Sequence, residues 1–226
     1  MIEILFEDNH LIAVLKKPTD LSQGDRTGDE AIDAAVKNYI ALKYKKPGAV
    51  FLGLIHRLDR PAGGVLLFAR TSKALGRMNE IFRTREVRKT YLAIVGERPP
   101  EDEDTLTHFL KKNEKQNKTY VYDSEVKGSK KASMSYRLAG RSRRFFLLEV
   151  ELHTGRHHQI RAQLAKIGCP IKGDLKYGYS RSNEDGSICL LARRLEFIHP
   201  VKKEKVIITA PLPEGDAWKL FRNVEV

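Results

Sequence analysis

Residues 56–70 read His56-Arg57-Leu58-Asp59-Arg60-Pro61-Ala62-Gly63-Gly64-Val65-Leu66-Leu67-Phe68-Ala69-Arg70. One carboxylate, that of Asp59, stands among the cations Arg57 and Arg60, with His56 close by, just before a Gly-Gly turn and an apolar run. A single acid among basic residues is the setting expected for a carboxylate that must stay ionised beside a polyanion. The alternative is a surface charge cluster that closes a turn, and the tetrapeptide alone does not decide between the two.

The composition of the 226-residue chain favours a polyanionic partner. Lys and Arg total 41 against 29 Asp and Glu, which gives a formal net charge of +12 at pH 7. Such an excess suits the phosphate neutralisation that dominates non-specific binding to nucleic acids. Apolar residues make up 41% of the chain, enough for a sizeable core.

The chain carries the marks of a cytoplasmic protein. Its two cysteines, Cys169 and Cys189, are too few for a disulfide scaffold. The N-terminus lacks the basic and apolar regions of a signal peptide. No uninterrupted apolar stretch approaches the roughly 20 residues that span a bilayer. We therefore expect a cytoplasmic location and no membrane association.

Apolar patterning predicts more strands than helices. Strands are predicted near residues 2–6, 11–15, 64–70, 91–95, 118–124, 132–138, 145–153, 190–192 and 206–210. Helices are predicted over residues 28–44, where Thr27 and Glu30 form a capping box, and over 71–83 and 157–167. Residues 97–104 read as an acidic, proline-rich loop. Because strands and helices do not alternate one to one, we expect an α+β fold.

A second dense cluster of basic residues falls in residues 152–164. Arg161 lies four residues after His157, so the two share a helix face, and the amides at the helix start could hold a phosphate. A basic helix lying in solvent is the plainer alternative. A metal site at His153, His157 and His158 lacks a cysteine or carboxylate at ligand spacing, and we expect no metal.

Two further basic segments point to RNA. Arg88 and Lys89 lead into Tyr91, so that phosphates could be neutralised beside a ring able to stack on an unstacked base. A core tyrosine with a satisfied hydroxyl is the alternative. Residues 126–144 carry seven cations and no acid. This stretch is either a phosphate-facing surface or a solvated face.

Four further segments follow residues 56–70 in a fixed order. They are residues 89–96 (Lys-Thr-Tyr-Leu-Ala-Ile-Val-Gly), 154–161 (Thr-Gly-Arg-His-His-Gln-Ile-Arg), 168–178 (Gly-Cys-Pro-Ile-Lys-Gly-Asp-Leu-Lys-Tyr-Gly) and 191–200 (Leu-Ala-Arg-Arg-Leu-Glu-Phe-Ile-His-Pro). Together the five segments resemble the RluA-type pseudouridine synthases. The likeness covers about residues 4–212, and five segments in one order make it specific.

The resemblance implies an RNA uridine isomerase that needs no cofactor. It implies that Asp59 is the catalytic aspartate, that Tyr91 packs on the target base and that Arg161 pairs with the aspartate. Arg57 would occupy the space left by the flipped nucleotide. The implied pseudouridine synthase fold is a curved, mixed and largely antiparallel sheet flanked by helices, with a central active-site cleft. We expect residues 1–226 to form one catalytic domain, without the S4-type RNA-binding domain of many relatives.

Further side chains around these residues are expected to contact the RNA substrate. They are His56, Arg57, Arg60, Arg88, Lys89, Arg156 and His158, with Ile171 as an apolar wall of the pocket. The expected substrate is a stem-loop of ribosomal or transfer RNA. No protein partner is implied, and we expect a monomer.

The isomerisation breaks the N1–C1′ bond of uridine and joins C5 to C1′ without a redox change. One carboxylate is therefore enough, either as a nucleophile on the sugar or as a base at C2′. Two other functions stay open. A non-catalytic RNA-binding or ribosome-assembly module fits the charge equally well but leaves Asp59 without a use. A glycosidase-type hydrolase normally needs two carboxylates, and the segments contain one candidate.

Overall fold

The structure is a computed structural model that describes residues 2–22 and 31–225. The chain divides into two compact units. The first unit contains residues 1–87 and 192–211, and the second contains residues 88–191 and 212–226. The expectation that residues 1–226 form one catalytic domain stays a prediction.

Strands outnumber helices in the described residues. The strands are β1 (Ile4–Glu7), β2 (Leu11–Lys16), β3 (Gly53–Leu54), β4 (Gly63–Ala69), β5 (Arg88–Val95), β6 (Glu103–Asn113), β7 (Lys118–Tyr122), β8 (Lys130–Arg141), β9 (Phe146–Leu152), β10 (Leu190–Ile198) and β11 (Lys205–Thr209). The helices are α1 (Ile32–Lys43), α2 (Ser72–Thr84), α3 (Gln159–Lys166) and α4 (Asp216–Lys219), with a 3-10 turn at Leu175–Tyr177. The predicted α+β class is confirmed. None of the described helices has the length and apolar character needed to cross a membrane.

In the first unit, β2 pairs antiparallel with both β1 and β4. The register of β2 on β4 runs from Leu11 opposite Ala69 to Lys16 opposite Gly64. β3 also pairs with β4, and β10 pairs with β11, both antiparallel. Nearly every side chain of β2 and β4 is buried, which explains why both read as continuous apolar runs. The segment that contains Asp59 therefore leads directly into β4, a buried strand that is paired with β2 and β3.

Helix α1 begins later than the predicted range of 28–44. Ala31, at its N-cap, is extended, with φ −84° and ψ 151°, and forms an isolated parallel bridge with Leu21. Because this bridge keeps Ala31 out of the helical conformation, regular helix starts at Ile32. The predicted capping box from Thr27 to Glu30 lies outside the described residues.

The second unit contains an antiparallel sheet in the order β5-β9-β8-β6-β7. The sequence did not predict β6, and the loop expected at residues 97–104 gives way to this strand at Glu103. Of the side chains of β6, only Leu106 and Leu110 are buried. The eleven residues of β6 include three apolar ones, at positions 106, 109 and 110, and these do not alternate. The strand is therefore fixed by its hydrogen bonds to β7 and β8 rather than by its own periodicity.

Helix α3 is two residues shorter at its start than the predicted range of 157–167. His158 precedes it in the left-handed conformation, with φ 50°, and so stands outside the helix as its N-cap. The predicted stop is confirmed, because Gly168 follows the helix with φ 80°. Gln163 of α3 donates to the carbonyl of Leu106 at 3.3 Å, which ties the helix to β6.

Gly64 marks a close approach between two backbones. Its φ is 121°, and a Cβ at this position would lie 2.3 Å from the carbonyl oxygen and 2.6 Å from the amide nitrogen of Ala192. The Gly-Gly pair predicted as a turn in fact forms the first two residues of β4. Glycine is needed here because the obstructing atoms belong to the main chain and cannot rotate aside.

The substitution Gly64→Ala is expected to lower the free energy of unfolding by about 3 kcal/mol, through the clash and the positive φ together. The control is Gly76→Ala at an exposed position of α2, where a Cβ meets nothing within 4 Å. Alanine should stabilise that helix by up to about 1 kcal/mol. Urea unfolding measures both, and an unchanged stability of Gly64→Ala would contradict the close approach.

Candidate active site

Asp59 lies in an irregular segment between β3 and β4, and the backbone on both sides of it is held in place. The flanking carbonyls of Leu58 and Arg60 accept hydrogen bonds from Ser22 Oγ at 3.1 Å and from the Thr19 amide at 2.8 Å. The Asp59 side chain itself is half-buried. The first unit thus holds the backbone on both sides of the residue that carries this carboxylate.

The side chain of Lys16 is fully buried and reaches the same segment. Its ammonium donates to the carbonyl of Ala62 at 2.7 Å and to those of Arg60 and Lys17 at 3.0 Å each. Burial lowers the pKa of Lys16 to about 8, while the charge of Asp59 acts in the opposite direction. Sequence analysis missed Lys16, because a lysine at the end of an apolar run gives no local sign of burial.

The basic residues around Asp59 differ in their surroundings. His56 is half-buried, stacks on the ring of Phe82 with centroids 5.4 Å apart, and accepts the Leu67 amide on Nε2 at 3.2 Å. It therefore anchors the chain to β4 and α2. Arg57 and Arg60 are exposed. The expected contacts of these three residues with RNA stay predictions.

In the second unit, polar side chains shape the turn that leads into α3. Thr154 Oγ1 donates to Gln159 Oε1 at 2.7 Å, and the Arg156 amide donates to the same oxygen at 3.0 Å. Gln159 Nε2 donates to the carbonyl of Ser133 at 3.0 Å. Arg156 also reaches the Lys131 carbonyl through Nε at 3.2 Å. These hydrogen bonds hold the turn of residues 154–158 in one conformation and thereby set the direction of α3.

Arg161 forms a buried, two-pronged ion pair with Asp174. Its Nε lies 2.7 Å from Oδ2 and its Nη2 lies 2.9 Å from Oδ1 of Asp174, and both side chains are at least 95% buried. The guanidinium also lies over the ring of Tyr177, 5.1 Å from the centroid. Asp174 was not among the predicted site residues, although it lies in a segment that carried the resemblance. The expected pairing of Arg161 with Asp59 joins residues of the two units and stays a prediction.

His158 is buried and neutral. Burial, followed by the charge of Arg161, lowers its pKa to about 2. Its Nδ1 lies 3.0 Å from the hydroxyl of Tyr177, which accepts the Thr119 amide at 2.8 Å.

Three predicted residues of the second unit lie on or near β5. Tyr91 is half-buried, opposite Val150 of β9. Lys89 is also half-buried. Ile171 is fully buried and forms an isolated bridge with Val95, so it belongs to the core of this unit. Their roles toward the target base and the RNA stay predictions.

The basic stretch of residues 126–144 carries its cations at the surface. Six of its seven basic side chains are exposed without a described ion pair, and the seventh, Arg137, pairs with Glu149. Arg88 is similarly paired with Glu151, at 2.8 Å between Nη2 and Oε2. The exposed cations are available to phosphates, whereas Arg88 and Arg137 would have to share their charge with a carboxylate.

Two of the three histidines considered for a metal site, His157 and His158, make other contacts. Residues 2–22 and 31–225 contain no group of three His, Cys, Asp or Glu side chains that could hold a metal ion. His157 Nδ1 lies 2.8 Å from Thr119 Oγ1 and its Nε2 lies 3.1 Å from Asn117 Oδ1. Its ring stacks on that of His158, with centroids 3.7 Å apart.

Comparison with known proteins gives the family. The sequence profile described as RNA pseudouridylate synthase matches residues 10–166. The chain is 32% identical over 242 residues to tRNA pseudouridine synthase C of Haemophilus influenzae, covering 99% of this chain and 97% of that protein. It is 33% identical over 230 residues to ribosomal large subunit pseudouridine synthase D of Xylella fastidiosa, covering 94% of this chain. It spans 66% of the length of that second relative.

Solved structures agree on the fold. Human RNA pseudouridylate synthase domain containing 4 superposes with a TM-score of 0.80 at 22% identity, covering 97% of this chain and 92% of the other. Human RNA pseudouridylate synthase domain containing 1 superposes with a TM-score of 0.72 at 23% identity, covering 96% of this chain and 86% of the other. The fold is therefore that of the pseudouridine synthases.

Fold and sequence together define an RNA-modifying isomerase as the class of protein. The chain belongs to the RNA pseudouridylate synthase family. The predicted resemblance to RluA-type synthases and the predicted class of enzyme are confirmed. The roles predicted for individual side chains stay predictions.

The substitution Asp174→Asn is expected to lower the free energy of unfolding by about 3 kcal/mol, because it removes the carboxylate charge that faces the buried Arg161 guanidinium through two hydrogen bonds. Urea unfolding at pH 7 measures the loss. Asp216→Asn is the matched control, since this carboxylate is exposed and pairs with Lys219 at 2.9 Å. It should leave stability unchanged. Equal behaviour of the two variants would contradict a structural role for the buried pair.

The neutral state of His158 predicts a dependence of stability on pH. Its pKa is about 2 in the folded protein against 6.5 ordinarily, so between these values the unfolded chain binds more protons. Stability should therefore fall below pH 6.5, by about 1.4 kcal/mol per pH unit from this group. His158→Gln keeps an acceptor for Tyr177 but does not titrate. Its stability relative to the wild type should rise as pH falls from 7 to 5, and a constant difference would refute the assignment.

Proposed function

We propose that the protein isomerises uridine to pseudouridine in RNA, with Asp59 as the catalytic carboxylate. One observation carries the proposal: the half-buried acid sits in a segment whose carbonyls are held by Ser22, Thr19 and the buried ammonium of Lys16. A charge that merely closes a surface turn has no need of such fixation. Attack on a sugar carbon requires a carboxylate placed to within a fraction of an ångström.

The proposed reaction is balanced within uridine. The N1–C1′ bond breaks, the uracil turns, and C5 bonds to C1′. The proton on C5 then leaves to an acceptor, such as the Tyr91 hydroxyl or a water molecule, and N1 gains one. No electron is transferred, so the chemistry calls for no redox cofactor. Asp59 would act either as a nucleophile at C1′ or as a base at C2′.

Arg161 is the proposed partner of the Asp59 carboxylate. Asp174 binds two of the three guanidinium nitrogens, Nε and Nη2, and thereby fixes the plane of the group. A guanidinium suits this arrangement because its rigid fork serves two acceptors at once, whereas a lysine offers a single point charge.

Tyr91 and Arg57 are proposed to handle the flipped nucleotide. Taking the uracil out of the stack costs a few kcal/mol. Packing on the half-buried ring of Tyr91 and insertion of the exposed Arg57 into the vacated space would offset that cost. Ile171 is proposed as an apolar wall behind the base, and His56, Arg60, Arg88, Lys89, Arg156 and His158 as further contacts to the RNA.

The substrate is proposed to be a stem-loop of ribosomal or transfer RNA. The relatives' names include a tRNA pseudouridine synthase and a ribosomal large subunit pseudouridine synthase, so both RNAs are candidates. The net charge of +12 and the exposed cations of residues 126–144 support RNA as the partner. We further infer that residues 1–226 work as one catalytic domain, as a monomer and in the cytoplasm.

A non-catalytic RNA-binding module is the second candidate function, because the same charge supports it. Mapping pseudouridine with carbodiimide and alkali in RNA from cells with and without the gene separates the two. Loss of one or a few pseudouridines on deletion supports the synthase and identifies its target. Identical maps would overturn the proposed activity and favour the module.

The substitution Asp59→Asn should lower the single-turnover rate of pseudouridine formation at least about a thousandfold, because the amide is neither a nucleophile nor a base. RNA affinity and urea unfolding should stay close to the wild type. Glu80→Gln, which removes an exposed carboxylate paired with Arg83 on α2, is the control and should keep full activity. Comparable turnover by the purified Asp59→Asn variant would falsify the assignment.

A further inference from the structure

Lys16 is an unusual residue for the place it occupies. It ends the apolar strand β2, its side chain is fully buried, and every hydrogen bond described for its ammonium goes to a main-chain carbonyl. We propose that Lys16 is a positioning residue, which holds Asp59 in its reactive orientation through the backbone of residues 60–62. The effect on turnover rests on the proposed function.

The hydrogen bonds match the ammonium group in number. A protonated lysine has three N–H donors, and Lys16 makes three bonds, to the carbonyls of Ala62 at 2.7 Å and of Arg60 and Lys17 at 3.0 Å each. A neutral amine has only two donors and would leave one of these carbonyls without its bond. The protonation state of Lys16 therefore controls how completely the segment is held.

Of the three carbonyls that Lys16 binds, those of Arg60 and Ala62 lie on the C-terminal side of Asp59. Ala62 also returns its amide to the Asp59 carbonyl at 3.0 Å, so the turn that contains the acid closes on the residue that Lys16 holds most closely. In the β2–β4 pairing, Lys16 itself lies opposite Gly64. Lys16 thus connects β2 to residues 60 and 62, which lie between Asp59 and the start of β4. A displacement of about 1 Å at such a point can cost a hundredfold in rate.

The charges that act on Lys16 are few. Asp20, in the turn after β2, and Asp59 favour the ammonium, whereas burial and the neighbouring Arg60 disfavour it. The seven residues of β4 contain no titratable side chain. Burial outweighs the two carboxylates, and the pKa of Lys16 falls to about 8. The third hydrogen bond is therefore present at pH 7 and lost as pH rises through 8.

Two variants separate positioning from mere packing. Lys16→Met fills a similar volume without any donor, and Lys16→Gln offers two uncharged donors, as the neutral amine does. Lys37→Met on α1 is the control, because that lysine is partly exposed and makes a surface pair with Asp33 at 3.1 Å. Urea unfolding of each variant first establishes that it is folded.

The first measurement is amide hydrogen exchange at Ala62, which requires no turnover. Exchange should quicken at least about tenfold in Lys16→Met, the fold-change that corresponds to about 1.4 kcal/mol. It should be unchanged in Lys37→Met. Unchanged exchange at Ala62 in a folded Lys16→Met variant overturns the proposal, and this holds whether or not the protein makes pseudouridine.

The second measurement is the single-turnover rate of pseudouridine formation between pH 6.5 and 9, on the RNA identified by mapping. The wild-type rate should fall with a midpoint near pH 8. Lys16→Met should be about a hundredfold slower at pH 7, and neither it nor Lys16→Gln should show that midpoint. The same midpoint in Lys16→Gln overturns the proposal even if Lys16→Met does not fold. An inactive wild type refutes the proposed function, and the exchange result then decides the role of Lys16 alone.

Discussion

The arrangement around Asp59 depends on the burial of one ammonium group. An unpaired charge in a protein interior costs several kcal/mol, so Lys16 is tolerated only while carbonyl oxygens stay within hydrogen-bond distance of it. Two of its three oxygen partners, the carbonyls of Arg60 and Ala62, belong to the segment that carries Asp59. Because Lys16 is also the last residue of β2, the packing of β2 on β4 keeps the ammonium where it is. The pairing of β2 with β4 thereby also holds the irregular segment around Asp59 in place.

The second unit also contains a buried positive charge that must be compensated, and it uses a carboxylate instead of main-chain carbonyls. Arg161 is buried, and Asp174 compensates its charge through two parallel hydrogen bonds. His158 stays neutral next to this guanidinium and, with the hydroxyl of Tyr177, completes a set of buried polar groups in which donors and acceptors are matched. Such a set leaves little freedom to any of its members. Of the proposed catalytic residues, Asp59 therefore lies in a segment whose backbone is held by the buried Lys16, and Arg161 is itself held by the buried Asp174, each within its own unit.

The local pattern of apolar residues predicted the elements whose buried positions follow a regular pattern in the sequence. The apolar runs of β2 and β4 are buried almost throughout and were found, as was α2, whose Thr71 accepts the Ala74 amide at 3.1 Å as an N-cap should. The failures have a common cause. Strand β6 exposes most of its side chains. Helix α1 starts after Ala31, whose backbone is extended and bridged to Leu21. Helix α3 starts after His158, whose backbone lies in the left-handed region. None of these features leaves a periodic mark in the sequence.

The sequence by itself determined the family, through five ordered segments, and with it the acid at position 59 and the arginine at position 161 as candidates. Only the tertiary structure revealed what holds them. Lys16 binds carbonyls 44 and 46 residues further along the chain, and Arg161 binds a carboxylate 13 residues away. Partners of buried charges are chosen by where the folded chain brings donors and acceptors together. A lysine at the end of an apolar strand therefore looks the same in the sequence whether its ammonium lies in solvent or is buried beneath an irregular segment such as that of Asp59.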